Sequence, residues 1–263
     1  MIRGPSFCLL GLSLGACLAS IDREKIEQGF SSDAGHDGPP VDAIEEPYVN
    51  DCTGTAVCDG FERDQLLGPW DTTSIDRGAT LALTTMIAHS GTKSLVTTFP
   101  KEGGDAGGPF GYLYSAKLAK VAKTNFRAFM YTGSDCKTRS LSTISLSFDY
   151  GNAVRRELYL SLSDAGFKFL SIEAKPGTAD RYVPITGGGD VVYDRWVEVE
   201  LQVVSTPAPA QLTLRYDGKT IAEGVVAPFS MPSAQPTARL GGFASGVGPC
   251  SLYYDDARLT VTP

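Results

Sequence analysis

The chain is poor in residues that many catalytic and metal-binding sites require. Only two of its 263 residues are histidine, and the part after Asp51 contains one of them, His89. That part also lacks a Cys-x-x-Cys pair, a Gln-x-His motif and a Gly-x-Ser-x-Gly nucleophile elbow. A zinc site of cysteine and histidine is therefore not supported, and a Ser-His-Asp triad would have to use His89.

Helical periodicity and positive charge are also scarce. No sustained 3.6-residue apolar period follows the stretch from Asp22 to Gln28. The chain has 23 basic and 30 acidic residues, a net charge of −7. Residues 18–51 alone contain nine acidic and two basic residues, so they carry the excess and the remainder is close to neutral. A neutral domain without a basic stripe argues against nucleic-acid binding.

Strand periodicity, by contrast, is frequent. Between Val197 and Val203 every second residue is apolar and those between are polar. This period of two predicts a strand with one face in a core and the other in water. The alternation returns over Leu212–Tyr216, after which Asp217 and Gly218 predict a tight hairpin.

Further short runs, separated by turn residues at roughly 8 to 15 residue spacing, follow Asp51. These runs are 80–84, 94–99, 110–118, 126–131, 141–148, 157–162, 167–172, 221–226, 238–243 and 252–261. About a dozen short strands without a helix predict an all-β domain over 52–263, a two-sheet antiparallel β-sandwich.

The amino terminus has the composition of an export signal. Residues 1–16 contain an early Arg3, an apolar run too short to span a bilayer, and small residues before Cys17. The sequence from Leu14 to Cys17 resembles the bacterial lipobox, which implies cleavage before Cys17 and lipidation of that cysteine. The alternative is an ordinary signal peptide with a free Cys17. Leu18 stands where inner-membrane retention signals usually carry Asp, which implies display on the outer membrane or cell surface.

Residues 17–51 then read as a lipidated cysteine followed by an acidic tether. The segment contains Gly and Pro and has no apolar period after Ile26, so we expect it to be solvated and disordered. The predicted attachment to a membrane is through the lipid alone.

Four cysteines remain for the domain, namely Cys52, Cys58, Cys136 and Cys250. An even number in an oxidising compartment predicts disulfides, with three possible pairings. We favour Cys52 with Cys58 as a local loop, in which case Cys136 with Cys250 joins two distant strand ends.

Several segments in order resemble the concanavalin A-like, or laminin-G-like, jelly-roll superfamily. They are Cys58–Glu62 ahead of Gly68–Trp70, His89–Leu95, Arg195–Val199 followed by Leu214–Lys219, and Leu252–Leu259. The resemblance covers about Cys52 to Thr262 and implies a jelly-roll sandwich. It says little about function, because this fold carries lectins, carbohydrate-binding modules, glycosidases and lyases.

The same resemblance implies a structural Ca²⁺ site. In related jelly rolls an early Glu and a late Asp meet because the first and last strands pair. Asp59, Glu62, Asp255 and Asp256 stand at the corresponding places. Carboxylates with loop carbonyls suit Ca²⁺, although turn or edge carboxylates beside a base are the alternative.

Sugar recognition requires aromatic platforms with polar groups beside them. The candidate ligand-binding residues are Tyr112, Tyr114, Asp149, Tyr150, Asn152 and Tyr159. Tyr131 and Tyr193 are weighed as platforms of the same kind. Aromatic residues of a sandwich more often belong to its core, and Tyr112 and Tyr114 share one face with Phe110.

Two sequence patterns resemble parts of catalytic sites, but neither contains the full set of catalytic residues. Glu198 and Glu200 share a strand face but belong to the solvated side of the predicted hairpin. The segment Arg155-Arg156-Glu157-Leu158 resembles the Arg-x-Glu-Leu strand of alginate-lyase-type jelly rolls, whose Gln-x-His motif is absent here. We therefore predict no catalytic residue and lean against an enzyme.

Three functions remain. The first is a surface-tethered, non-catalytic carbohydrate-binding or adhesion lipoprotein, with a polysaccharide or glycoconjugate as partner. The second is a polysaccharide lyase or glycoside hydrolase of the same fold, which requires a cleft lined by Arg, Tyr and carboxylates. The third is a structural envelope lipoprotein with a protein partner, which requires a flat or apolar patch instead.

Overall fold

The computed structural model describes residues 52–101, 108–119, 121–149, 154–227 and 235–263, and the side chain of Asp149 is not among what it describes. The predicted signal segment, the tether and three of the predicted functional residues, Cys17, Tyr150 and Asn152, lie outside these ranges. No helix in the described part of the chain has the length and apolar character needed to cross a bilayer.

The described chain forms two antiparallel sheets, as the sequence predicts. The first sheet runs in the order β13 (Lys219–Val226), β12 (Gln211–Tyr216), β11 (Trp196–Val204), β6 (Lys123–Thr132), β15 (Cys250–Thr262), β4 (Ser94–Phe99) and β3 (Thr80–Thr84), with β1 (Thr55–Asp59) also paired to β15. The second runs in the order β10 (Arg181–Gly187), β9 (Gly166–Ala174), β8 (Arg155–Ser163), β7 (Arg139–Asp149), β14 (Gln235–Gly246), β5 (Phe110–Tyr114) and β2 (Thr72–Asp76).

Strand β11 has the predicted alternation. Its residues Val197 and Val203, with the two apolar residues between them, are buried, and the strand lies between β6 and β12. Asp217 and Gly218 both have positive φ values, of 54° and 69°, and make the two-residue turn between β12 and β13. The local prediction is therefore confirmed.

The predicted runs missed three strands, β1, β2 and β10. Of these, β10 is the edge strand beside β9. It contains Pro184, which cannot donate a ladder hydrogen bond, and its side chains are largely exposed. The apolar alternation that identifies half-buried strands is therefore weak at this sheet edge. Tyr182 of this strand remains 58% exposed.

The core lies between the sheets and contains inward-facing residues of both, among them Phe126, Leu201, Leu158 and Leu240. The two disulfides are those that we favoured. Cys52 is joined to Cys58, and Cys136, in a short 3₁₀ helix over Ser134–Thr138 that follows β6, is joined to Cys250 at the start of β15.

Candidate functional site

The outer face of the second sheet carries a groove. A cavity of about 380 Å³ is lined by Ser74, Phe110, Tyr112, Tyr114, Ser142, Arg155, Glu157, Tyr159, Ile172, Asp180, Tyr182, Arg239 and Phe243. An adjoining cavity of about 320 Å³ shares Tyr114, Arg155 and Arg239 with it and adds Lys117. Side chains alternate between the two faces of a strand, so these residues are the outward partners of the core-facing residues between them.

The strand register places three of these residues, together with Ser145, in one row. Tyr159 on β8 is opposite Ser145 on β7, Ser145 is opposite Arg239 on β14, and Arg239 is opposite Tyr114 on β5. The row crosses four neighbouring strands. Two of them, β7 and β8, are consecutive in the chain, and β14 comes from a distant segment.

Strand β7 forms the floor of the groove and has small side chains there. In the middle of the strand Ser142, Ser145 and Ser147 face outward, and these small side chains leave room above it. Arg239 on β14 therefore reaches across β7 and forms an ion pair with Glu157 on β8. The Nε of Arg239 also donates to the hydroxyl of Ser145 at 2.9 Å.

Arg239 is held on several sides. Its side chain is only 11% exposed, and its guanidinium carbon lies 5.1 Å from the ring centre of Tyr112 and 5.9 Å from that of Tyr114. Burial lowers the pKa of Arg239, and the two tyrosines oppose this shift. Because a guanidinium stays protonated in proteins, Arg239 and Glu157 are a fixed, buried charge pair.

Two tyrosines converge on Ser142. The hydroxyl of Tyr112 donates to the carbonyl oxygen of Ser142 at 3.3 Å. Tyr159 has a side-chain hydrogen bond with Ser142 as well, but burial, with a smaller effect of Tyr182, raises its pKa to about 12. Burial also raises the pKa of Tyr112, against the opposing charge of Arg239. Both side chains are therefore neutral phenols at physiological pH.

A glycine shapes the groove beside Tyr112. The register of β14 shifts between Arg239 and Phe243, and Gly241, at a φ of 132°, is the residue opposite Tyr112. A Cβ atom on Gly241 would overlap the carbonyl group of Gly111 on β5. Only glycine is compatible with this register shift, because the absence of a side chain allows β5 to approach β14 closely.

Charge is unevenly distributed along the groove. Lys117, Arg155 and Arg239 line the smaller cavity, where the described lining contains no carboxylate. Glu157 and Asp180 line the larger one with Arg155 and Arg239. Arg155 is 48% exposed, and its Nε is 3.8 Å from the Glu157 carboxylate, so it is the arginine more accessible to a ligand.

The structure brings part of the predicted sugar site together. Tyr112, Tyr114 and Tyr159 line the groove, with Arg155 and Glu157 of the Arg-x-Glu-Leu segment beside them. Sequence reasoning missed Arg239, Asp180 and Tyr182. The available signal was the row of serines at the outward positions of β7, next to a strand that carries Arg, Glu and Tyr outward.

Glu198 and Glu200 lie on the outer face of the first sheet, as expected for a solvated face. Glu198 is 3.4 Å from Arg127, and Glu200 accepts hydrogen bonds from Asn125 at 2.8 Å and Arg215 at 2.9 Å. Neither residue lines the groove.

The four predicted calcium ligands have protein partners. Asp59 accepts hydrogen bonds from the amide of Phe61, from Arg63 and from the indole of Trp70. Glu62 accepts three hydrogen bonds from Thr92 and Lys93. Within the described ranges no three His, Cys, Asp or Glu residues are grouped so as to hold a metal ion, and calcium remains a sequence-based prediction.

Asp255 and Asp256 hold the loop that contains His89. Asp255 is buried and accepts the amides of His89 and Ser90 at 2.8 and 3.1 Å. Burial and the charge of Asp256 raise the pKa of Asp255 to about 8, although these amides favour its charged form. Asp256 accepts from the Ser90 hydroxyl at 2.9 Å and lies 2.8 Å from Nδ1 of His89. Ser90 thus bonds the carboxylate and not the imidazole, so these residues do not form a triad.

No protein-family model matches the chain, and no curated protein matches it in sequence. Its fold is similar to that of an endo-β-1,4-glucuronan lyase from the fungus Trichoderma reesei, with a TM-score of 0.63 and 15% identity, over 79% of this chain and 96% of the lyase. It is also similar to the cellulose-induced protein Cip1, with a TM-score of 0.58 and 14% identity, over 78% of this chain and 97% of Cip1. At these identities the likeness is one of fold: the protein is a two-sheet antiparallel β-sandwich of the jelly-roll type.

Proposed function

We propose that the protein is a polysaccharide lyase that binds an acidic polysaccharide in the groove. The main support is the row of Tyr159, Ser145, Arg239 and Tyr114, flanked by Arg155 and Glu157. A cleft of Arg, Tyr and carboxylates is what the enzymatic hypothesis requires. The similarity in fold to a glucuronan lyase supports this alternative over the non-catalytic function that sequence analysis put first.

The positive charge of the groove favours a polyuronate as the substrate. In a uronate the proton on C5 is α to a carboxylate, and its removal is easier when a cation neutralises that carboxylate. Arg155 is half-exposed beside the fixed Arg239–Glu157 pair, so it can approach a bound uronate. The cluster of Lys117, Arg155 and Arg239 would bind further carboxylates along the polymer.

The elimination requires a proton donor and a proton acceptor, and two further residues of the groove could supply them. Tyr159 is a neutral phenol and would donate its proton to the leaving glycosidic oxygen. Asp180 is an exposed carboxylate in the same cavity and would accept the C5 proton. Elimination then forms a C4–C5 double bond in the sugar at the new end, with no water consumed.

A second candidate is a non-catalytic polysaccharide-binding protein. It is favoured by the pairing of Glu157 with Arg239 and by the raised pKa values of Tyr112 and Tyr159, because these three groups are then poor bases at neutral pH. Both candidates use the same groove and the same acidic polysaccharide. A structural envelope role with a protein partner requires no such groove.

The predicted signal segment, the lipidated Cys17 and the acidic tether extend the proposal to location. We propose that the domain is exported and anchored at the outer membrane or cell surface, where polysaccharides are accessible. The two disulfides agree with an oxidising compartment.

The test is incubation with glucuronan, alginate and polygalacturonate, with ultraviolet absorbance reporting the C4–C5 double bond. We expect at least one polyuronate to give this absorbance. For Tyr159→Phe we expect a kcat lower by about 10² to 10⁴-fold with substrate retention nearly unchanged, because the variant lacks the proton donor. Tyr193→Phe, outside the groove lining, is the matched control.

The pH profile gives an independent check. A raised pKa keeps the acid form of Tyr159 populated, so its ionisation should not reduce the rate until the pH approaches about 12. Retention on a polyuronate without any double-bond absorbance would instead establish the binding candidate. Neither retention nor absorbance on any polyuronate would reject both.

A further inference from the structure

A second group of aromatic side chains lies on the opposite side of the sandwich from the groove. Tyr253 on β15 is opposite Tyr131 on β6, and Tyr131 is opposite Trp196 on β11. The three residues form a row across the outer face of the first sheet. None belongs to the hydrophobic cluster between the sheets, and each is partly exposed.

The row has a regular spacing. The ring centres of Tyr253 and Tyr131 are 5.8 Å apart, and those of Tyr131 and Trp196 are 5.7 Å apart. Both contacts are edge-to-face, with neighbouring rings inclined at 86° and 63° to one another. A step of this size is close to the length of one hexose in an extended polysaccharide. Sugar CH groups and hydroxyls both find partners on such a surface.

His89 supports one end of the row. Its imidazole stacks on Phe129 with ring centres 3.5 Å apart and meets Trp196 edge-to-face at 5.9 Å. The loop that carries His89 is fixed by its hydrogen bonds to Asp255 and Asp256. Trp196 is thus held on one side by Tyr131 and on the other by a tethered loop.

The charge near the row differs from that of the groove. Asp135 and Asp194 are exposed, and their charges, after the larger effect of burial, raise the pKa of Tyr131. Carboxylates beside aromatic rings accept hydrogen bonds from sugar hydroxyls, and they repel a polyanion. This surface is therefore suited to an uncharged glycan and unsuited to the polyuronate that the groove would bind.

We propose that Tyr253, Tyr131 and Trp196 form a second carbohydrate-binding site, which takes a strand of neutral polysaccharide. The site is independent of the groove and of its chemistry. It would hold the protein on an uncharged glycan while the groove on the opposite sheet stays open to an acidic one.

Intrinsic fluorescence provides the test, because the chain has two tryptophans. Trp70 is buried, and its indole donates to Asp59, so a ligand-dependent change reports Trp196. Titration of the full-length protein with cellohexaose, a neutral β-linked probe, should give a saturable change. For Tyr131→Ala we expect affinity to fall about tenfold or more, from the loss of one aromatic contact. Tyr159→Phe, in the groove, should bind the probe as the unaltered protein does.

Several outcomes would overturn the proposal. One is the absence of any saturable change with cellohexaose. Another is unaltered affinity in Tyr131→Ala, which would make the row a cross-strand packing contact only. An equal loss in Tyr159→Phe would move the binding to the groove. Should Tyr131→Ala not fold, Tyr131→Leu retains apolar volume without the ring, and we expect the same loss of affinity from it.

Discussion

Glu157→Leu should lower the free energy of unfolding by about 3 to 5 kcal/mol, as expected when one partner of a buried ion pair is removed. Arg239 is only 11% exposed in its side chain, and Glu157 is its carboxylate partner. Without Glu157 the guanidinium would keep the Ser145 hydroxyl and two tyrosine rings, none of which carries a negative charge. Urea unfolding at neutral pH measures the loss.

The control is the double variant Glu157→Leu with Arg239→Met. Replacing both partners of a buried pair by apolar residues is often neutral, so we expect the double variant to recover to within about 1 kcal/mol of the unaltered protein. It should nevertheless bind a polyuronate more weakly, because the smaller cavity then has two cationic side chains, Lys117 and Arg155, in place of three. A loss of less than about 1 kcal/mol in Glu157→Leu would show that solvent, and not Glu157, satisfies Arg239.

Removal of the disulfide between Cys136 and Cys250 should cost about 4 to 5 kcal/mol. The two cysteines are 114 residues apart in sequence, so the bond closes a long loop and restricts the unfolded chain strongly. Both cysteines are buried, so alanine in their place keeps the local polarity low. The double variant Cys136→Ala/Cys250→Ala should show this loss in urea unfolding under non-reducing conditions.

The second disulfide is the matched comparison. Cys52 and Cys58 are six residues apart, for which chain entropy gives a contribution of about 2 kcal/mol. We therefore expect Cys52→Ala/Cys58→Ala to be less destabilised than the other pair of substitutions. The reverse order would contradict an origin in the restricted unfolded chain.

Most strands could be predicted because each is half-buried. In β11 the apolar residues Val197 and Val199 alternate with Glu198 and Glu200, so the period of two is visible without any partner strand. The hairpin at Asp217 is visible for a similar reason, since two adjacent residues with positive φ favour Asp and Gly. β10 was missed because an exposed edge strand with a proline has little of this pattern.

The groove could be predicted only in part. Tyr112, Tyr114 and Tyr159 stood out as aromatic residues on strands, and Arg155 and Glu157 stood out by resemblance. Arg239 gave no comparable signal, because an arginine at an outward strand position is ordinarily solvated. Its function as the buried partner of Glu157 depends on β7, which lies between the two strands and has Ser142, Ser145 and Ser147 facing outward there.

The sequence alone determined the all-β class and most strand positions, because these follow from local periodicity. For the disulfides it favoured one of three possible pairings. It also supplies the predictions of export, lipidation of Cys17 and an acidic tether. Only the tertiary structure decided which outward residues meet. The pairing of β8, β7, β14 and β5 brings Tyr159, Arg239 and Tyr114 into one groove, and the pairing of β15, β6 and β11 sets a separate aromatic row on the other side. Strand order and register fix these neighbours, and both arise from contacts between residues far apart in the chain.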